Sequence, residues 1–236
     1  MLKHFAHLYF QVGCLVLLIV LTSCNELDND TIYKPGRLWN YKVSIADSSG
    51  IVIDTFLLNM STRKSSVAEK IIRPITVCYE YIERDSLVNR ECTGVRDDKN
   101  SVSLHPPREH KLEFTEVLPF PSASKQFKSN SWEWYKAEVD INIQKASYFD
   151  KSINKSVDLA GMKIKQELWI TDTLTLSYKD NNYLCYIIEG KNTSHTSELG
   201  EFKCKYFFNN ELGFIKLIYV TPWEETYELI LINHLF

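Results

Sequence analysis

The sequence predicts a mainly β, antiparallel fold with little helix. Three observations carry this expectation. Apolar and polar residues alternate with period two along most of the chain beyond residue 37, the pattern of strands with one buried face. Clusters such as Asp47-Ser48-Ser49-Gly50 and Asn209-Asn210-Glu211-Leu212-Gly213 punctuate the alternating runs, as turns do. Helical periodicity is poor, so helix is expected over less than about a fifth of the chain, against the usual third.

The elements follow in order. Trp39, Tyr41, Val43 and Ile45 share one face of a first strand, and Ile51 to Leu58 return after the Asp47–Gly50 turn. Ile75, Val77, Tyr79 and Tyr81 alternate next; a polar turn near Asp85 leads to a partner strand through Glu91 and Cys92. Val102 and Leu104 mark a short strand. Tyr135, Ala137, Val139, Ile141 and Ile143 line a long one, and Met162, Ile164, Leu168 and Ile170 another. Tyr183, Cys185 and Ile187 precede Phe202, Cys204, Tyr206 and Phe208. Phe214 to Val220 and Tyr227 to Ile232 close a hairpin around Thr221-Pro222-Trp223. Short helical pieces are expected only at Ser65 to Ile72 and within Lys145 to Val157. The segment 105–122 holds Pro106, Pro107, Pro119 and Pro121. Proline lacks the ladder donor and fixes φ, so this segment reads as a strap across one sheet of a single domain spanning 37–236.

The chain opens differently. Lys3, His4 and His7 precede an uncharged apolar run, Val12 to Leu21. That is about half the roughly 20 residues a transmembrane helix needs and suits a secretory signal. The run ends in Leu21-Thr22-Ser23-Cys24, which resembles the bacterial lipobox. The resemblance implies cleavage before Cys24 and acylation of that cysteine, with residues 1–23 as signal peptide. Each buried methylene contributes about 0.8 kcal/mol, so several acyl chains, palmitate among them, anchor a protein firmly. Residues 24–36 begin Cys-Asn-Glu-Leu-Asp-Asn-Asp and read as an acidic tether. An acidic tract here resembles the surface-export signal of Bacteroidota lipoproteins, with a plain polar linker as the alternative. Asp30-Thr31-Ile32, Asp85-Ser86-Leu87 and Asp172-Thr173-Leu174 resemble the O-glycosylation motif of that phylum.

The net charge of −3 and the lack of a basic stripe exclude nucleic acid as a partner. Of six cysteines, Cys14 leaves with the signal and Cys24 carries lipid. Cys78 with Cys92, and Cys185 with Cys204, each straddle an expected hairpin and form one of three possible pairings; four buried thiols are the alternative. If the last two strands pair through a loop centred near Ser194 and His195, Cys185 and Cys204 come directly opposite.

"GRLWNYKV" after the tether resembles the first strand of many Bacteroidota lipoproteins. "LTLSYKDNNYLCYIIEG" and "GEFKCKYFFNNELGFIKLIYV" resemble the closing module of a broad family of envelope proteins, at Tyr183, Cys185, Tyr186 and Ile188, then Phe207, Phe208, Gly213, Phe214, Ile215 and Lys216. Asp180-Asn181-Asn182 replace that family's usual turn. The resemblance covers about the last 65 residues and implies a strongly curved sheet, a half-barrel or barrel-like form akin to periplasmic lipoprotein carriers, without catalytic residues.

No phosphate loop, dinucleotide glycine pattern, zinc-protease motif or nucleophile elbow occurs. No cofactor and no metal is expected. His105, Glu109 and His110 could approach a metal, but Pro106 and Pro107 break their spacing. His195 lies in a polar loop and His234 reads as structural. Glu224-Glu225 are adjacent on a turn and point apart, unlike a glycosidase pair, and read as solvated. Trp132, Trp134 and Trp223 are candidate ligand-facing aromatics, with core filling as the bland alternative. The expected function is a non-catalytic envelope lipoprotein, lipid-anchored at the outer membrane on its periplasmic face or at the cell surface. It would bind an apolar ligand or an envelope protein. A glycan-binding or surface-assembly module is the alternative, and a hydrolase with dispersed acids a further one.

Overall fold

A computed structural model describes residues 31–65, 75–125, 135–140, 147–150, 155–158, 163–194 and 200–236, with side chains outside 135–158 and position 194. Cys24, Trp132, Trp134 and His195 lie outside the described residues, as does nearly all of the Ser65–Ile72 helix candidate.

The described chain is almost wholly antiparallel β, curled into a half-barrel. The strands are β1 Leu38–Ala46, β2 Val52–Lys64, β3 Ile75–Glu83, β4 Ser86–Asp97, β5 Ser101–Leu104, β6 Ser122–Ser124 and β7 Tyr135–Asp140. They continue with β8 Ser147–Asp150, β9 Lys155–Asp158, β10 Lys163–Tyr178, β11 Asn181–Ser194, β12 Lys203–Asn209, β13 Gly213–Val220 and β14 Thr226–Leu235. Twelve form one sheet in the order β6-β5-β4-β3-β2-β1-β14-β13-β12-β11-β10-β7; β8 and β9 pair separately. The described parts of Lys145–Val157 are therefore strand, not helix. Tyr148 pairs with Val157 and Phe149 with Ser156, and β-branched and aromatic residues favour that state.

Curling follows from connectivity. β6 and β7 are consecutive in the chain yet form the two edges of the sheet. Flat, the eleven intervening spacings would separate those edges by roughly 53 Å. The eleven Cα steps from Ser124 to Tyr135 reach about 40 Å at most. The sheet has to bend for the chain to close that gap.

The bend wraps one face around the core. Tyr41 pairs with Leu231 and Leu58, and Leu58 with Tyr81, so one inward row crosses four strands; all four side chains are buried. The core continues upstream of residue 37. Ile32 and Tyr33 are 2% and 0% exposed, so these two residues are core rather than part of the solvated tether expected through residue 36. Asp97 explains the difference. Its Oδ2 accepts the N–H of Ile32 and of Tyr33, each at 2.7 Å, while Oδ1 binds Lys125 in an ion pair whose two side chains are 0% and 8% exposed.

Three aromatics then tie the start of the unit to the β12–β13 turn. Trp39 Nε1 donates to Leu212 O at 3.0 Å, Tyr41 OH donates to Phe214 O at 2.8 Å, and Phe214 N donates to Tyr33 OH at 3.2 Å. Gly213 takes φ +81°, and a Cβ there would lie 2.8 Å from the Tyr33 ring, so both conformation and space require glycine.

Candidate functional site

The concave face of a half-barrel is where an apolar ligand would sit. Here residues 105–121 cross it. The segment leaves β5, and Leu104 N donates to Pro121 O at 2.8 Å as it returns toward β6. Between these points a 3-10 helix, Glu113–Val117, brings Leu112, Phe114, Val117 and Leu118 into the core, none more than 4% exposed. The Phe114 ring lies 4.6 Å from Tyr227, 5.8 Å from Phe202 and 5.9 Å from Tyr219. Two tyrosines moor the strap from opposite sides of the sheet: Tyr79 on β3 donates to His105 O at 2.7 Å, and Tyr206 on β12 donates to Pro119 O at 2.8 Å. His105 and Pro119 lie outside any strand, so side-chain hydroxyls rather than a ladder satisfy their carbonyls.

Charged groups gather where the strap enters. Glu91 accepts from Tyr81 OH and, at 2.6 Å, from Arg108 N; Arg108 Nη1 lies 3.3 Å from Glu116. Burial pushes the Glu91 carboxyl up, against the lowering effect of those two donors. Burial likewise raises Glu113 and Glu116. His110, at φ +63°, places Nε2 2.8 Å from Glu83, and Lys111 bonds both Asp54 and Glu83 at 2.5 Å. Hydrogen bonds from Lys111 and then His110 hold Glu83 below the usual carboxylate range. Burial disfavours the Lys111 charge, but its two carboxylate partners outweigh that and raise it. Raised carboxyls often mark proton-transfer sites. Here Glu91 and Glu116 are turned toward a strap amide and the strap's Arg108.

The other residues singled out from sequence disperse. Cys78 and Cys92 are directly opposite on β3 and β4 and form a disulfide. Cys185 and Cys204 are free and buried, which corrects the expected bridge. Cys204 lies opposite Gly190, and Cys185 falls beyond the last β11–β12 pair, Tyr186 with Phe208. Asn192 sets that register: its N–H donates to Phe202 O at 3.1 Å and its Oδ1 accepts Phe202 N at 2.6 Å. Burial pushes the Cys185 thiol up to about 11 and the Cys204 thiol to about 12, so both are poor nucleophiles. Trp223 is half-buried, edge-on to Phe202 at 5.8 Å, rather than an open platform for a ligand. The His105 ring lies tilted against Phe120 at 4.4 Å, whereas His110 pairs with Glu83. Glu225 is 8% exposed and accepts from Tyr227 OH at 3.0 Å, so only Glu224 of that pair is solvated.

Two outward features had no sequence signal beyond alternation. Ile230, Lys42, Leu57, Ile82 and Leu87 pair successively across β14, β1, β2, β3 and β4. Ile230 and Leu57 are each 38% exposed and Leu87 is 59% exposed, an apolar band broken by one lysine. Farther round, a shallow groove of about 510 Å³ is lined by Trp169, Ile218, Val220 and charged residues including Glu189 and Lys205; Lys205 and Glu189 pair at 2.8 Å.

No protein-family model matches the chain, and no curated protein matches it. Among solved structures it is similar to an exported protein with a YmcC-like fold from Bacteroides fragilis, at 9% identity and TM-score 0.44, over 87% of this chain and 100% of that one. It is also similar to a structure described as a lipoprotein from Parabacteroides distasonis, at 11% identity and TM-score 0.43, over 87% and 98%. A third is the hypothetical lipoprotein YmcC of Escherichia coli, at 9% identity and TM-score 0.37, over 94% and 96%.

Proposed function

We propose that the protein is a non-catalytic lipoprotein of the cell envelope, held at the outer membrane by acyl chains on Cys24 and acting through its outer surface on an envelope partner. The occupied concavity carries the choice of surface. Fully burying a Leu, Phe or Val side chain is worth about 1.5–3 kcal/mol. Lifting Leu112, Phe114, Val117 and Leu118 away therefore forfeits on the order of 6–12 kcal/mol, comparable to the whole stability of an ordinary domain. An apolar ligand has to repay all of that, so the inward face works as core. The exposed Ile230–Leu57–Leu87 band supports contact with a partner outside.

The anchor is tested by expressing the protein and its Cys24→Ala variant in a Gram-negative host and partitioning each into detergent. Loss of detergent partitioning in the variant supports acylation; equal membrane retention overturns it. The choice of surface is tested with a fluorescent fatty acid. No saturable binding is expected for the wild type, and stoichiometric binding by the wild type returns the concave face as the site. The Trp169 groove favours a second reading, a surface glycan site, for which Trp169→Ala should abolish retention on immobilised glycans.

A further inference from the structure

We infer that the end of the half-barrel where the tether enters is a docking face for an anionic phospholipid bilayer. The inference rests on the proposed acylation of Cys24, and the juxtaposition that carries it is chemical. The N-terminal segment enters beside the end of β2, where Gly36 N donates to Thr62 O at 2.8 Å. The end of β14 and the β10–β11 hairpin tip meet there too: Tyr178 OH lies 2.9 Å from His234 Nδ1, and Lys179 Nζ donates to Asn233 Oδ1 at 2.5 Å.

Apolar and basic groups are exposed side by side on this end. Leu235 and Phe236 are 59% and 56% exposed. The Arg37 guanidinium sits 4.4 Å over the Phe236 ring, and the exposed Arg63, Lys64 and Lys179 flank them. Asp180 and Glu211, with Asp98 at 41% side-chain exposure, are the acids of the adjoining turns, and Lys99 is a further exposed cation there. Burial, followed by the Lys179 and Arg37 cations, holds the His234 imidazole below its usual range. At the opposite end the turns at 47–50, 84–85 and 221–225 carry Asp47, Asp85 and Glu224 against Arg84, with the exposed Lys163 and Lys203 at the starts of β10 and β12.

Chain length selects the bilayer as occupant. Eight Cα steps separate Cys24 from Ile32, so an acylated Cys24 lies within about 29 Å of the described unit. A short anchor leading to the basic end, with exposed phenyl and leucyl groups among the cations, matches what an anionic interface attracts: basic groups at the headgroups and apolar groups at the acyl boundary.

The test uses the full acylated chain in vesicles of phosphatidylcholine alone or with phosphatidylglycerol, read by hydrogen exchange. Slower exchange is expected at 61–64, 178–181 and 233–236 only in the phosphatidylglycerol vesicles, with 47–50 and 84–85 unchanged. Lys64→Gln and Lys179→Gln each lower the docked-to-free ratio about fivefold, from the usual contribution of a basic residue near such a surface, and high salt weakens docking further. Equal exchange in both vesicles, or protection at the far end, overturns the inference. Intact mass reads acylation separately. If acyl groups are absent, the anchor reading falls; co-sedimentation of the wild type and both variants with the same vesicles then scores the face alone, and equal sedimentation overturns it.

Discussion

Replacing Asp97 by asparagine removes one charge from a site that solvent does not reach. The Asp97 carboxylate is 0% exposed and the Lys125 side chain 8%, while Oδ2 also accepts the Ile32 and Tyr33 amides at 2.7 Å. In Asp97→Asn the amide oxygen can keep the two backbone donors. The amide nitrogen then turns toward the Lys125 ammonium, donor against donor, and the buried Asp97–Lys125 ion pair is lost. Breaking a buried pair on one side costs about 3–5 kcal/mol. Lys125→Met on its own leaves the carboxylate with two N–H partners and should cost less. The double variant should recover most of the Asp97→Asn loss, because a buried pair replaced by neutral groups is often near-neutral. Urea unfolding of residues 25–236 and of the three variants measures the cycle, with changes read in midpoint at constant slope. A loss under about 1 kcal/mol for Asp97→Asn, or strict additivity in the double variant, would refute the claim that this pair clamps the start of the unit.

Three further outcomes are expected. A Cβ on Gly190 would meet Glu167 O at 2.8 Å and Cys204 Sγ at 2.9 Å; Gly190→Ala should therefore cost about 1–3 kcal/mol by overpacking, read as a lowered thermal midpoint. Burial raises Glu91 and Glu116, so their protonation favours the folded state. Their contribution is present below the unfolded carboxylate range and is lost as pH rises through the raised native values; Glu91→Gln, which keeps an acceptor for Tyr81 and Arg108, should raise the midpoint at pH 7 and flatten its pH dependence above 4.5. Removing the Cys78–Cys92 bridge, which closes a span of 14 residues, should cost about 3 kcal/mol in the chain-entropy treatment, and denaturation with and without reductant measures it.

Legibility from sequence follows the physics of each segment. Trp39, Tyr41, Val43 and Ile45 alternate because one face of β1 is buried, so both strand and inward face were readable. The Cys185–Cys204 expectation failed because alternation fixes which face a residue occupies but not its cross-strand partner. The register depends on Asn192 bonding around Phe202 and on Asn209 Nδ2 donating to Leu184 O at 2.9 Å, polar contacts without periodic signature. Prolines marked residues 105–122 as a crossing, but of the inward positions only 114, 117 and 118 keep a helical spacing, a single turn too short to stand out as a period. Asp97 reads as an ordinary acid at a strand end, since its partners at 32, 33 and 125 are distant in sequence.

The placement of β1 in mid-sheet has a consequence for biogenesis. Its neighbours are β2, made at once, and β14, with Leu38 opposite Leu235. Until β14 exists, a growing chain carries β1 as an open edge, with Trp39, Tyr41, Val43 and Ile45 beside unpaired backbone groups, the template on which edge-to-edge aggregation starts. At ordinary synthesis rates the roughly 190 intervening residues take about 10 to 40 s. The strap has nowhere to lie for the same interval, because Phe114 packs on Phe202, Tyr219 and Tyr227. The nascent half-sheet therefore depends on being kept extended or escorted until β14 is made, and a chain truncated before β14 should accumulate as aggregate rather than as a smaller folded protein.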